Sequence, residues 1–193
     1  GTAFVLDRPV NNAKAVLITA HHLFGSAGGL STEIKWQELA QKITGVECTF
    51  FGPGVGAIAL GAPFSVPNAD SFVNGGIDLA AFPIPSVQPF ALKLAKTNPA
   101  QGAQVFLIAQ LVGDNSAQNL VHPGQVVSIN KYLMRFEYTD PAFKLQATSG
   151  APVVNEVGQV VGVNVGGTER DGKYIGIAIN LETLTQALGS IRY

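Results

Sequence analysis

An all-β fold is predicted, with two series of short strands followed by a short C-terminal helix. Three observations carry that prediction. Apolar clusters of four to seven residues recur along all 193 residues, with Gly, Pro, Asn and Asp between them. Gly (22) and Pro (11) are more abundant than a helical chain would carry. Hydrophobic residues make up 47% and charged residues 13%, against ~25% charged in ordinary domains, which calls for a large core. Strands of this kind build a barrel or a sandwich.

The first series comprises Ala3 to Leu6, Ala15 to Thr19, Val46 to Phe51, Ala57 to Leu60 and Leu79 to Ile84. Between its second and third strands, Trp36, Leu39, Ala40 and Ile43 fall at i, i+3, i+4 and i+7. That spacing predicts an amphipathic helix over Glu33 to Ile43, capped by Ser31 or Thr32. The second series runs Ala103 to Ile108, Gln125 to Ile129, Tyr132 to Tyr138, Val153 to Val154, Gln159 to Val165 and Tyr174 to Ile179. A stretch containing Pro83, Pro85 and Pro89 and ending near Leu92 reads as the crossover, because proline cannot donate to a ladder. Two β lobes are therefore expected, 1–88 and 89–193, in one domain. Asn180 caps a final helix over Leu181 to Leu188, with Gly189 as its stop.

A formal net charge of −1 removes the basic surface that nucleic acid or an anionic membrane would need. No apolar run reaches the ~18 residues of a membrane span, and no basic-then-apolar leader is found at Gly1. With one cysteine, Cys48, no intramolecular disulfide forms, and its apolar surroundings read as a buried strand. No metal or cofactor is expected, and the oligomeric state is not readable.

Three segments carry chemistry. Leu17-Ile18-Thr19-Ala20-His21-His22 ends an apolar strand in small residues and presents histidine at its rim, a rigid mount for a general base. The pair also allows a metal, but neighbouring side chains of an extended segment diverge, and only His122 remains as a third histidine. In Asn74-Gly75-Gly76-Ile77-Asp78-Leu79-Ala80, an acid stands at the entrance to an apolar strand. It is either a turn aspartate or a carboxylate needing a donor such as an imidazole N–H. Gln146-Ala147-Thr148-Ser149-Gly150-Ala151-Pro152 is a small-residue loop with serine at its apex. Alone it is either an ordinary β-turn or a loop whose backbone N–H groups converge on one point.

Together, in the order His, Asp, Ser, these segments resemble the trypsin-like peptidase family, closest to its disulfide-free bacterial, HtrA-like branch. Thr19-Ala20-His21-His22 resembles the family's Thr-Ala-x-His, and Asp78-Leu79-Ala80 its Asp-aliphatic-Ala strand. Thr148-Ser149-Gly150-Ala151-Pro152 resembles the nucleophile loop, and Tyr174 to Ile179 the strand closing the specificity pocket. The resemblance implies two antiparallel β-barrels, chymotrypsin-like, and a serine endopeptidase with His22, Asp78 and Ser149 as its triad. It further implies an oxyanion hole from the N–H groups of Ala147 and Ser149 and a polypeptide substrate. Phe143 would lie near the pocket base and Val165, Gly166 and Gly167 along its wall. With no acid at the base, an apolar side chain is expected before the scissile bond rather than Lys or Arg. Family habit places the domain outside the cytoplasm, periplasmic or secreted.

Ala147 departs from the family, which has glycine two residues before the serine. A Cβ there resists positive φ. The departure brings in a second reading, a binding or scaffold protein with a latent or inefficient triad, and an esterase on the same fold is a third.

Overall fold

The computed structural model describes residues 1–49, 56–84, 90–111, 119–140 and 146–191. In the first lobe, β1 (Phe4–Leu6), β2 (Ala15–Thr19) and β5 (Ala80–Ile84) form an antiparallel sheet in the order β1-β2-β5. β3 (Val46–Thr49) pairs with β4 (Ala57–Leu60) in a second. All five residues of β2 are buried, because it is the central strand with elements packed on both faces. In the second lobe, β6 (Gln104–Ile108), β7 (Val121–Ile129), β8 (Leu133–Tyr138), β9 (Pro152–Val154), β10 (Val160–Arg170) and β11 (Lys173–Asn180) close a barrel. Its order is β10-β11-β8-β7-β6-β9. The all-β architecture is thus the observed one.

Three apolar clusters hold this together. One lies inside the barrel around Leu107, Met134 and Phe136, and another inside the first lobe around Leu17, Leu39 and Phe82. The third joins the lobes: Leu6, Ile18 and Leu79 pack with Val163, Val165, Ile179 and Leu184. Burying an aliphatic side chain of this size contributes about 1.5–3 kcal/mol, so the seam between the lobes is a core in its own right. Residues at Leu92 to Ala95 stitch it further. Leu92 exchanges backbone hydrogen bonds with Val5 and Asp7, and Lys93 and Ala95 do so with Val160, at 2.8–2.9 Å.

Four local expectations are corrected. The first helix, α1, spans Trp36–Lys42 with Lys35 as its cap rather than beginning at Glu33. Ile34 is tied down instead: its N–H donates to the Phe24 carbonyl and its own carbonyl accepts from His21, which holds residues 33–35 out of the helix. Pro83 belongs to β5, opposite Val16, as the expected strand Leu79 to Ile84 has it, and not also to the crossover. β5 is the edge of its sheet, where a missing N–H costs nothing. Pro85 and Pro89 lie outside the described residues. The last helix, α2 (Leu181–Ser190), runs through Gly189 rather than stopping there. Its start matches, with Asn180 Oδ1 accepting the Thr183 N–H at 2.8 Å. Finally, His21–Phe24 is a turn of 3-10 helix, not an extended continuation of β2.

Candidate active site

β2 delivers the chain to Ala20, which is fully buried, and the 3-10 turn then sends the two histidines apart. His21 is 1% exposed, and its Nε2–H donates to the Ile34 carbonyl at 2.9 Å. It is therefore a tether for the loop before α1. His22 turns the other way, towards Asp78, with its side chain 13% exposed. The pair does not converge on a point, and no three His, Cys, Asp or Glu side chains are grouped to hold a metal among the described residues.

Asp78 stands two residues before β5 and is 0% exposed. A carboxylate so buried is costly unless its oxygens are hydrogen-bonded, and three donors meet it. His22 Nδ1–H donates to Oδ2 at 2.7 Å, and the His22 backbone N–H donates to Oδ1 at 2.9 Å. The Phe72 N–H, from a short 3-10 turn over Phe72–Asn74, reaches Oδ2 at 3.1 Å. Because a carboxylate accepts, the ring proton sits on Nδ1 and the lone pair of Nε2 is left on the far side of the ring. The acid thereby sets both the tautomer and the orientation of the imidazole.

The serine loop belongs to the other lobe. Thr148 is buried, its carbonyl accepting from Asn164 Nδ2 at 3.1 Å and from the Ala151 N–H at 3.1 Å. The Gly150 N–H donates to the Asn164 carbonyl at 2.7 Å. Gly150 itself has φ 87°, and a Cβ there would run into Thr2 O and Thr19 Oγ1 and sit 3.0 Å from Ala20 N. Only glycine fits. That contact also locates the serine loop, since Gly150 lies against Ala20, two residues from His22. Ser149 is half-buried, its carbonyl accepting the Thr2 N–H at 2.8 Å.

Ala147, whose Cβ was expected to resist positive φ, nevertheless has φ 63°. For an alanine the left-handed region costs roughly 1–2 kcal/mol. The loop bears that strain rather than avoiding it. The Thr2 hydroxyl donates to the Ala147 carbonyl at 2.9 Å, a bond contributing about 0.5–1.5 kcal/mol, comparable with the cost of the strain.

Of the residues assigned to the substrate pocket, Phe143 lies outside the described residues. Val165 is 1% exposed and packs into the seam between the lobes. β10 shifts register between Asn164 and Gly166, a bulge that turns Gly166 against the Phe72 ring and leaves Gly167 exposed. Cys48 is half-buried in the first lobe, and burial pushes its thiol pKa up, the opposite of an activated nucleophile. A cavity of about 700 Å³ is lined by Thr2, Phe4, Leu17, Cys48, Phe82 and Pro152 among others. His22, Asp78 and Ser149 are not among its walls.

Three contributors escaped the sequence reading. Asn164 left a signal, a lone amide inside the apolar run Val160 to Val165, which a core tolerates only with partners. Phe72 acts through its backbone N–H, which any residue supplies. Thr2 left no signal, because its partner is 145 positions away.

Residues 1–163 match the family described as the trypsin-like peptidase domain. No curated protein matches the chain. Solved structures do, at low identity. The Rv3671c protease of M. tuberculosis in its active form is 17% identical with a TM-score of 0.61, over 99% of this chain and 73% of that one. Its inactive form gives the same identity and TM-score, over 100% and 84%. The HtrA-type protease AlgW with a decapeptide gives 17% and 0.62, over 98% of this chain and 50% of that one. Overall shape therefore identifies the fold but does not separate a competent site from an incompetent one.

Proposed function

We propose that this chain, which belongs to the trypsin-like peptidase domain family, is a serine endopeptidase that works through an acyl-enzyme. The observation that carries the reading is the fully buried Asp78 carboxylate, bonded to both the ring and the backbone of His22. With Nδ1 protonated and held, Nε2 is the basic nitrogen available to take a proton from Ser149 Oγ. Oγ attacks the scissile carbonyl, and the imidazolium that forms is stabilised by Asp78. The oxyanion of the tetrahedral intermediate is received by the N–H groups of Ala147 and Ser149. His22 then returns the proton to the leaving amine, and water repeats the sequence on the ester.

The substrate is polypeptide, with an apolar residue before the cleaved bond, in keeping with the absence of an acid at the pocket base. The domain works outside the cytoplasm. The chain holds two lobes, 1–88 and 89–193, with His22 and Asp78 on one and Ser149 on the other. The strain at Ala147 favours slow turnover over fast.

A library of unstructured peptides, incubated with the folded protein and read by mass spectrometry, tests this. Cleavage after apolar residues is expected, and none with Ser149→Ala. Cleavage confined to Lys or Arg sites would overturn the specificity. Hydrolysis of small esters with every peptide intact would overturn the peptidase reading in favour of an esterase.

A further inference from the structure

Among the described residues, four non-glycine positions have positive φ: Asn11, Asn68, Ala147 and Asp171. Asn and Asp tolerate that region, since their side chains bond locally. Ala147 has no such side chain, and something else must hold it there. The peptide planes that follow it are each tied. The Ala147 carbonyl accepts from Thr2 Oγ1, the Thr148 carbonyl from Asn164 and Ala151, and the Ser149 carbonyl from the Thr2 N–H. Two of these three carbonyls are met by one residue, and that residue belongs to the other lobe.

Thr2 is itself anchored. Its carbonyl accepts the Thr19 Oγ1–H at 2.7 Å, and Thr19 is the last residue of β2, three before His22. Every polar group of Thr2 is thus used to join the nucleophile loop to the strand that mounts the histidine. Asn164 and Ala151 hold Thr148 from within the loop's own lobe, whereas among the described residues the Thr2 hydroxyl is the donor that hydrogen-bonds the residue under strain. Its bond is of the same size as that strain, so removing it lets the loop leave the left-handed turn.

We infer that Thr2 is a positioning residue: its hydroxyl holds Ala147 in the left-handed conformation and so keeps the Ala147 N–H aimed for the oxyanion. The catalytic part of this inference rests on the reading of Ser149 as the nucleophile. The backbone part does not. Threonine is suited to the task, because its β-branch stiffens χ1 and so pre-aims the hydroxyl. Serine keeps the donor with less stiffness, and valine keeps the shape without the donor.

The test compares wild type, Thr2→Val, Thr2→Ser, Ala147→Gly and the double variant Thr2→Val/Ala147→Gly in two measurements. The first reads the Ala147 φ by NMR, from the HN–Hα coupling and the ¹³C shifts. Wild type and Thr2→Ser are expected at positive φ, and Thr2→Val shifted towards the relaxed region. The second follows the rate of fluorophosphonate capture at Ser149. Thr2→Val is expected to slow about tenfold, the effect of one hydrogen bond's worth of loop population. Thr2→Ser should stay within about threefold of wild type, and Ala147→Gly should restore most of the rate to Thr2→Val by removing the strain. A purely structural role for Thr2 would give slow capture that neither Thr2→Ser nor Ala147→Gly rescues, and would overturn the inference. Thr2→Val with an unchanged Ala147 φ would also overturn it, whatever the capture rates. Wild type that shows the expected φ behaviour but no capture would sink the peptidase reading and the catalytic part of the inference, while upholding the backbone clamp.

Discussion

The two halves of the site are held in opposite ways. On the first lobe, Asp78 is fully buried and meets three N–H donors, two of them from His22 itself. That half is built within the first lobe, and among the described residues none of the groups that meet the carboxylate is strained. On the second lobe, Ala147 is exposed and left-handed, and Ser149 is half-buried in a loop tied by Asn164 from behind and by Thr2 from across the seam. The histidine and its carboxylate partner are pre-set by burial, whereas the serine loop depends on ties from outside itself. Damage to the first half should therefore cost stability and activity together, whereas damage to the second should cost more activity than the loss of stability explains.

Asp78→Asn should have the largest effect of those that sharpen this contrast. An amide cannot accept from all three donors and places its own N–H against one of them. Turnover should fall on the order of 10⁴-fold, as when the acid of such a triad is neutralised. The melting temperature should fall as well, since buried N–H groups lose their acceptor. Full activity in Asp78→Asn would break the contrast at its stronger end.

Gly150→Ala comes next. The added methyl meets Thr2 O and Thr19 Oγ1 at φ 87°, so the loop must move away from the first lobe. A loss of about 3 kcal/mol in denaturant unfolding is expected, with turnover reduced further than stability explains. A variant as stable and active as wild type would show that the contact between the loop and Ala20 is dispensable.

The smallest effect is expected from Ala147→Gly, and its sign is opposite. Relief of the left-handed strain should raise stability by up to about 1 kcal/mol, and turnover should rise by less than tenfold. A fall in both would mean that alanine is favoured at this turn.

How far all this could be read in the sequence follows the range of the forces involved. Strand positions were legible because alternation and turn residues are local. Ala15 to Thr19 and Ala57 to Leu60 are the observed β2 and β4 to the residue. The meeting of His22 with Asp78 was legible only through the family resemblance, because the residues alone left Asp78 as either a turn aspartate or a carboxylate needing a donor, and 56 positions separate the two. The start of α1 was not, because its periodicity begins before Ile34 is captured by His21 and Phe24. Pro83 was read both into the strand Leu79 to Ile84, where it lies, and into the crossover, because the sequence does not say which strand is an edge. Ala147 was flagged from a single side chain and does carry a positive φ, but the Thr2 hydroxyl that meets it was invisible. A clamp made by an ordinary threonine 145 positions away has no local signature.

The most direct test of the account is covalent capture of Ser149. A fluorophosphonate reacts only where a serine is activated by its base and the developing oxyanion is met by donors. Folded wild type is predicted to form one adduct, mapped by mass spectrometry to Ser149, and His22→Ala and Ser149→Ala to form none. An unlabelled wild type, or labelling that survives Ser149→Ala, would contradict the claim that the two halves form a working catalytic site.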